Sequence, residues 1–369
     1  MTGAFLAKRI GIDKWMFGVT LLLVILGLLM VFSASAILAA EKFGSAYHFF
    51  LRQLVWAIAG LTLMFALSRL QFENYKRPWV VFGLLALTTG LLAAVYFLDR
   101  TNGSHRWVHF GGVFSLQPSE LAKPVLVLFL AYFLENRLKE MGNVKRTLLP
   151  LAITLGIICG LILKEPDLGT AMVCVGGAAV MLYVAGLPWR YYAYAAIPLV
   201  PVMYWQLFHV GFRYRRIMAF LHPESDPQGS GFHMMQSLIA VGTGGLLGRG
   251  LMEGRQKLFY LPEPHTDFIF AVTAEELGLI GALCVVICFG IFAFRGLRAA
   301  YRTNDNYARL VAVGLTAMII IQALFNISVV IGLLPTKGIP LPFISYGGTS
   351  IAVTLIMVGI LLNISKQTE

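Results

Sequence analysis

Apolar runs of about 18 or more residues, almost free of charge, recur along the whole 369-residue chain, and few folds accept that pattern. A helix needs roughly 20 mostly apolar residues to cross about 30 Å of hydrocarbon. Runs of this length are read at 15–38, 48–68, 78–98, 119–136, 147–164, 168–187, 191–210, 268–294, 309–332 and 346–364. Hydrophobic residues make up 58% of the chain and charged residues 13%, against about a quarter charged in a soluble domain. The expectation is an all-α, polytopic integral membrane protein with about ten transmembrane helices and a single domain over 1–369. Residues 1–14 and 365–369 would be short termini, and 211–267 a large extracytoplasmic loop between the seventh and eighth helices. The first apolar run, which ends near Ala34-Ser35-Ala36, is too long for a usual signal-peptide core, so it reads as an uncleaved span.

The net charge of +11 would suggest nucleic acid in a soluble protein. Here it is first a matter of topology, and no nucleic-acid partner is expected. Sixteen of the 29 Lys and Arg residues fall at the N-terminus and in alternate connections, and six of the other thirteen sit in the 211–267 loop. Long loops count weakly in this rule, so both termini are expected in the cytoplasm, with the protein in the cytoplasmic (inner) membrane. Cys159, Cys174, Cys284 and Cys288 all lie in apolar runs without paired metal-ligand spacing, and read as reduced packing residues.

Two outer segments are too distinctive to be connectors. One is 99–117, with Arg106-Trp107 before the helix start Pro118-Ser119-Glu120. The other is 211–266, with a basic cluster, the turn Pro223-Glu224-Ser225-Asp226-Pro227 and a Gly-rich stretch at 242–245. Apolar periodicity at Ile217–Leu221 and Met234–Val241 predicts surface helices. The Gly-rich stretch lacks the Gly-Lys-Ser/Thr ending of a phosphate loop, so no nucleotide is expected. No internal repeat is visible, which counts against a transporter.

Ionisable groups at membrane depth are costly and become functional candidates by default. Glu120 and Lys123, three residues apart, share a helix face and can pair, as a structural pair or as part of a site. Lys164, Glu165 and Asp167 flank Pro166 at a helix junction, where Asp167 reads equally as a helix cap. Asp267 follows Leu261-Pro262-Glu263-Pro264-His265-Thr266, a segment with two further ionisable groups that suits acid–base chemistry, although capping alone would explain an Asp there. Glu275 and Glu276 lie about 12 Å deeper and need internal partners or a polar cavity. Arg213, Arg215, Arg216 and Lys337 run against the positive-inside trend, and point to a phosphate ligand or to anionic headgroups. Trp107 is either an interfacial aromatic or a platform for a sugar ring.

These residues together resemble the SEDS polymerases, the FtsW, RodA and SpoVE proteins of bacterial wall synthesis. The matching motifs are Ser33-Ala34-Ser35, Arg106-Trp107, 117–123 (QPSELAK), 166–170 (PDLGT), 213–221 (RYRRIMAFL), 222–231 (HPESDPQGSG), 260–278 (YLPEPHTDFIFAVTAEELG) and 334–348 (LPTKGIPLPFISYGG). Pro335-Thr336-Lys337-Gly338 is closer to the FtsW and SpoVE pattern than to RodA. Pro264 and Thr349 depart from the usual residues, which are alanine or arginine and serine.

The resemblance implies a peptidoglycan glycosyltransferase that polymerises lipid II outside the cytoplasmic membrane and releases undecaprenyl pyrophosphate. It implies a class B penicillin-binding protein and other division proteins as partners, and Mg or Mn as a divalent cation. By motif match Asp267 becomes the general base of an inverting transfer. Arg213, Arg216 and Lys337 would stabilise the pyrophosphate. Glu120, Lys123 and Asp167 would line the substrate cavity, with Trp107 at its rim. A lipid II flippase and a non-catalytic division scaffold are the alternatives; the flippase requires polar groups at both leaflets, whereas these cluster at one side.

Overall fold

The computed structural model describes residues 11–97, 106–110, 114–223, 229–258, 261 and 263–366. The chain ends, much of the 99–117 segment and most of the Pro223–Pro227 turn therefore lie outside the described residues. Every expected span is a helix: α1 (Lys14–Phe43), α2 (His48–Arg69), α3 (Pro78–Ala94), α4 (Pro118–Glu135), α5 (Leu149–Lys164), α6 (Leu168–Val184), α7 (Trp189–Phe208), α10 (Ile269–Arg302), α11 (Asn306–Val330) and α12 (Gly348–Lys366). Between α7 and α10 run two shorter helices, α8 (Gly211–Leu221) and α9 (Ser230–Thr243). They cover the two stretches where surface helices were expected, and begin earlier because the apolar pattern marks only the covered face of each helix.

Among the described residues, seven helices are long and apolar enough to cross a membrane: α1, α2, α3, α5 with the turn before it, α10, α11 and α12. This is fewer than ten for local reasons. α4 carries Glu120, Lys123 and Glu135, but it is buried almost throughout, so its charged end faces protein rather than lipid. α6 is a 17-residue apolar helix. α7 qualifies together with α8, to which it is bent by 86°. The result is a multi-pass membrane protein.

α11 and α12 form the interior, and α12 is buried over nearly every residue. α2 lies against α12 at short range because Gly60 faces Ala352 and Leu355, while Gly359 faces the Met64 backbone. In lipid such small-residue contacts replace hydrophobic driving force with close packing. α7 is the exception, with no buried residue, and stands at the edge of the bundle.

α10 is interrupted at Gly278, whose φ of 67° and ψ of −167° occupy a region open essentially to glycine alone. The expected span 268–294 is thus two helices, 269–277 and 279–302. The first is buried from Ile269 to Glu276. The short hairpin Val108–Phe110 with Phe114–Leu116 (β1 and β2) is tied to the start of α12, where the Thr349 hydroxyl donates to the Ser115 carbonyl at 2.7 Å. That contact needs only a β-hydroxyl, which accounts for threonine standing where the resemblance leads one to expect serine.

Gly278→Ala should destabilise the protein by about 1–3 kcal/mol or more, from backbone strain plus a clash with Leu246 and Gly248. Gly83→Ala, in open space on α3, should be neutral or mildly stabilising. Thermal melting of the two variants in one detergent checks both.

Candidate active site

A cavity of about 230 Å³ opens where four separated segments meet. The α5–α6 junction supplies Pro166, Asp167, Leu168 and Gly169; α7 and α8 supply Leu207, Phe212, Arg213, Arg216 and Ile217; Asp267 precedes α10; and Pro335–Gly338 follow α11. Arg106 completes the wall. Four cations and two carboxylates therefore face one space inside an otherwise apolar bundle.

Asp267 is held by its backbone. Asn326 Nδ2 donates to its carbonyl at 2.8 Å and to the Ile339 carbonyl at the same distance, which ties the segment before α10 to the 335–340 loop. One step back, Ser345 Oγ donates to the Thr266 carbonyl at 2.6 Å and the Tyr346 N–H to the His265 carbonyl at 2.9 Å. The Asp267 carboxylate itself has no hydrogen-bond donor among the described residues, and Gly338 packs alongside, so close that a Cβ there would lie 3.2 Å from Oδ2. Enclosed by protein yet open to the cavity, the carboxyl is pushed up to about 7, by burial first and then by the Glu263 charge, while Arg216 and Arg106 oppose the shift.

The cations are fixed in different ways. Arg106 Nε donates to the Glu165 carbonyl at 2.6 Å and Nη2 to the Pro166 carbonyl at 2.8 Å, a two-pronged grip on the α5–α6 junction. Arg213 is buried and bonds the Gln206 side chain on α7, whereas Arg216 is exposed toward the cavity. Lys337 Nζ lies 2.9 Å from Met172 Sδ and 6.0 Å from the Phe325 ring centre, with no carboxylate partner among the described residues. Burial, with Arg213 as a second cause, lowers Lys337 to about 8.

Of the residues singled out from sequence, Asp167, Arg213, Arg216, Asp267 and Lys337 meet at the cavity. Asp167 is also a helix cap, accepting from the Thr170 N–H at 3.0 Å, its hydroxyl at 2.8 Å and Gln117 Nε2 at 3.2 Å. Its oxygens are largely spoken for.

Three expectations are corrected. Glu120 and Lys123 do not line the cavity: they form a fully buried pair at 2.8 Å, with Lys123 also donating to Gln322 Oε1 at 2.6 Å, because three-residue spacing turns both inward to α11. Trp107 is half-buried beside Arg106 and is not on the described cavity wall. His265, a candidate acid–base group, is packed against Phe49 at 4.6 Å and Tyr346 at 5.5 Å, away from the cavity; burial depresses its affinity for a proton.

Arg106 is the cavity residue that sequence reasoning passed over in favour of its neighbour Trp107. Its signal was an arginine, like Arg100 in the same outer segment, running against the charge bias of its side. The donor set does not fit a resident divalent cation. No group of three ligating side chains occurs among the described residues, and the cavity offers one carboxylate with free oxygens among four positive charges.

Together the fold and cavity define a class: a multi-pass helical membrane protein with a cation-rich cavity around a carboxylate that has no ion-pair partner among the described residues. The chain belongs to the FtsW–RodA–SpoVE family, whose model, described as cell cycle protein, matches residues 13–369. It is 41% identical over 344 residues to the probable peptidoglycan glycosyltransferase FtsW of Geobacter metallireducens, covering 93% of this chain and 92% of that one. It is 42% identical over 371 aligned positions to stage V sporulation protein E of Bacillus subtilis, covering 98% and 99%. Among solved structures, a chain of a peptidoglycan synthase complex that coordinates polymerization and crosslinking superposes with a TM-score of 0.78 at 30% identity, over 96% of this chain and 98% of that one. The rod shape determining protein RodA of Thermus thermophilus gives 0.71 at 28% identity, over 99% and 98%.

Asp267→Asn should be more stable than the native protein at pH 8. Ionising a carboxyl whose folded pKa is raised opposes folding, and that cost grows from the unfolded value near 3.8 up to about 7. The advantage should reach up to about 4 kcal/mol above pH 7 and vanish near pH 4, as melting curves across that range would register.

Proposed function

We propose that this chain is an inverting glycosyltransferase that polymerises lipid II into glycan strands at the outer face of the cytoplasmic membrane, with both termini in the cytoplasm. The observation that carries the reading is the Asp267 carboxylate, unpaired among the described residues, on the wall of a cavity whose other charges are the cations Arg106, Arg213, Arg216 and Lys337 and the helix-capping Asp167. Relatives named peptidoglycan glycosyltransferase support the activity. The charge bias of the connections supports the orientation.

A polymerising transfer from a lipid-linked sugar pyrophosphate needs a base and a stabiliser for the departing phosphate. Asp267 takes the proton of the acceptor hydroxyl as that oxygen attacks the anomeric carbon, and the bond from that carbon to the pyrophosphate oxygen breaks on the opposite face. The pyrophosphate leaves with its negative charge against Arg213, Arg216, Lys337 and Arg106, in the manner of other preorganised phosphate sites. A carboxyl held at about 7 is well matched to this work near neutral pH. Asp167 shapes the cavity as a cap. No step runs through a metal, and a divalent cation would belong to the incoming pyrophosphate.

The complex whose chain superposes here couples polymerization to crosslinking, which supports a class B penicillin-binding protein as partner. The division setting rests on the Lys337 motif and on the FtsW relatives.

Purified protein, with its crosslinking partner and lipid II, should produce glycan strands, and Asp267→Asn should lower the rate by about 100-fold or more. Strands at the native rate from the variant would remove Asp267 as the base. The native rate should rise with pH through about 7 as Asp267 ionises, then fall above about 8 as Lys337 loses its proton. Lys337→Met should be slower throughout and should lack the upper fall.

A further inference from the structure

Asp267 stands at one end of a nine-residue half-helix, and the other end is gripped by a group of residues that the transfer chemistry does not use. The segment 244–258 returns from α9 as a strap lying against the break at Gly278. Two of its N–H groups, from Arg249 and Gly250, donate to the Glu275 and Glu276 carbonyls at 3.0 and 3.1 Å. The N–H groups just past the break, from Leu279 and Ile280, donate to the Gly245 and Leu246 carbonyls at 2.9 and 3.3 Å. The strap thus replaces, bond for bond, backbone pairing that the interruption removed. Leu246, Leu247, Leu251 and Met252 are exposed on its outward side, together with Glu253 and Arg255. The backbone groups that meet the break are turned inward.

Side chains then lock the joint. Lys257 Nζ donates to Glu276 Oε1 at 2.6 Å and to Ser33 Oγ at 2.9 Å, and Ser33 Oγ donates to Glu276 at 2.7 Å. The Met252 N–H donates to Glu276 Oε2 at 3.1 Å. Glu275 accepts from the Arg255 N–H at 2.8 Å and from the Gln256 N–H at 3.2 Å. Ser33, Lys257 and Glu276 are all nearly inaccessible. Apolar residues of similar volume would hold such a buried contact at least as firmly. What the ions add is a directional contact, in which hydrogen bonds at one point join three elements, α1, the strap and the half-helix.

We infer that Ser33, Lys257 and Glu276 are positioning residues for the transfer, fixing the rotation and depth of half-helix 269–277 and so the place of the Asp267 carboxyl on the cavity wall. The inference rests on the reading of Asp267 as the base. The half-helix is about 13 Å long, short enough to move as a rigid piece. Its outer end is tied through the carbonyls of 265–267, which accept from the Tyr346 N–H, Ser345 Oγ and Asn326 Nδ2, and none of these ties touches the Asp267 carboxyl, so rotation of the half-helix at its inner end is transmitted to that side chain. A displacement of about 1 Å can cost a reaction up to about 100-fold.

The test compares Lys257→Met, Glu276→Gln and the Lys257→Met/Glu276→Gln double variant with the native protein. It follows thermal melting, kcat and KM for lipid II, and hydrogen exchange of amides 265–277. Lys257→Met alone leaves a buried carboxylate unpaired and should melt lower. The double variant should melt close to the native protein, yet keep a kcat reduced at least about tenfold with KM nearly unchanged, and exchange faster at 265–277. A double variant that recovers native melting and native kcat together would overturn the inference, as would unchanged exchange in that segment. Should the native protein itself make no strands, the reading of Asp267 falls, and the exchange measurement alone decides whether the cluster fixes the half-helix.

Discussion

Each ionisable side chain inside an apolar bundle needs either a partner or a water-filled space, because hydrocarbon offers neither. This chain uses both solutions, in separate places. Glu276 with Lys257 and Asp13 with Arg295 are pairs that join separate segments, and Glu120 with Lys123, paired within α4, reaches α11 through Gln322. Asp267, Arg216 and Lys337 are left unpaired by carboxylate or ammonium groups among the described residues, and are turned to one cavity. The division separates paired charge from cavity-facing charge, and it gathers the cavity-facing set in one place. A transport path would need accessible polar groups along its length. Glu120 with Lys123 and Glu276 with Lys257 are instead sealed in pairs, which weakens the flippase alternative.

The cavity also depends on interruptions of regular structure. Helix breaks at Pro166, at the α7–α8 bend and at Gly278 each bring a loop end or half-helix toward the same space. Continuous spans would present only side chains projecting sideways. Broken ones present chain ends, where backbone groups and short-range turns fix a carboxylate or a guanidinium in direction. Burial of Asp267 costs stability and raises its basicity, and the surrounding hydrogen bonds from Asn326 and Ser345 hold the segment against that cost.

Much of the fold was legible in the sequence because lipid imposes length and apolarity on each span, and those are sequence properties. The break in α10 was not. TAEELGLIGAL continues a helical apolar pattern, and a glycine inside such a run is ordinary; only the strap from 244–258, brought in by tertiary packing, makes Gly278 a break. For the site, the spacing of Glu120 and Lys123 correctly gave a pair but not its direction, since the partner Gln322 lies on α11. Arg106 was hidden because its partners are carbonyls some 60 residues away. Asp267 itself stood out from neighbouring carboxylates by resemblance to a known motif more than by spacing, and the cavity then supplied a physical reason for it.

The most direct measurement is a structure of the Asp267→Asn protein bound to lipid II. The pyrophosphate is expected against Arg106, Arg213, Arg216 and Lys337, with the side chain at 267 on the face of the sugar opposite the leaving oxygen and open to an acceptor hydroxyl. A pyrophosphate seated elsewhere, for example in the cleft formed by Arg190 and Tyr191 at the far end of α7, would contradict it.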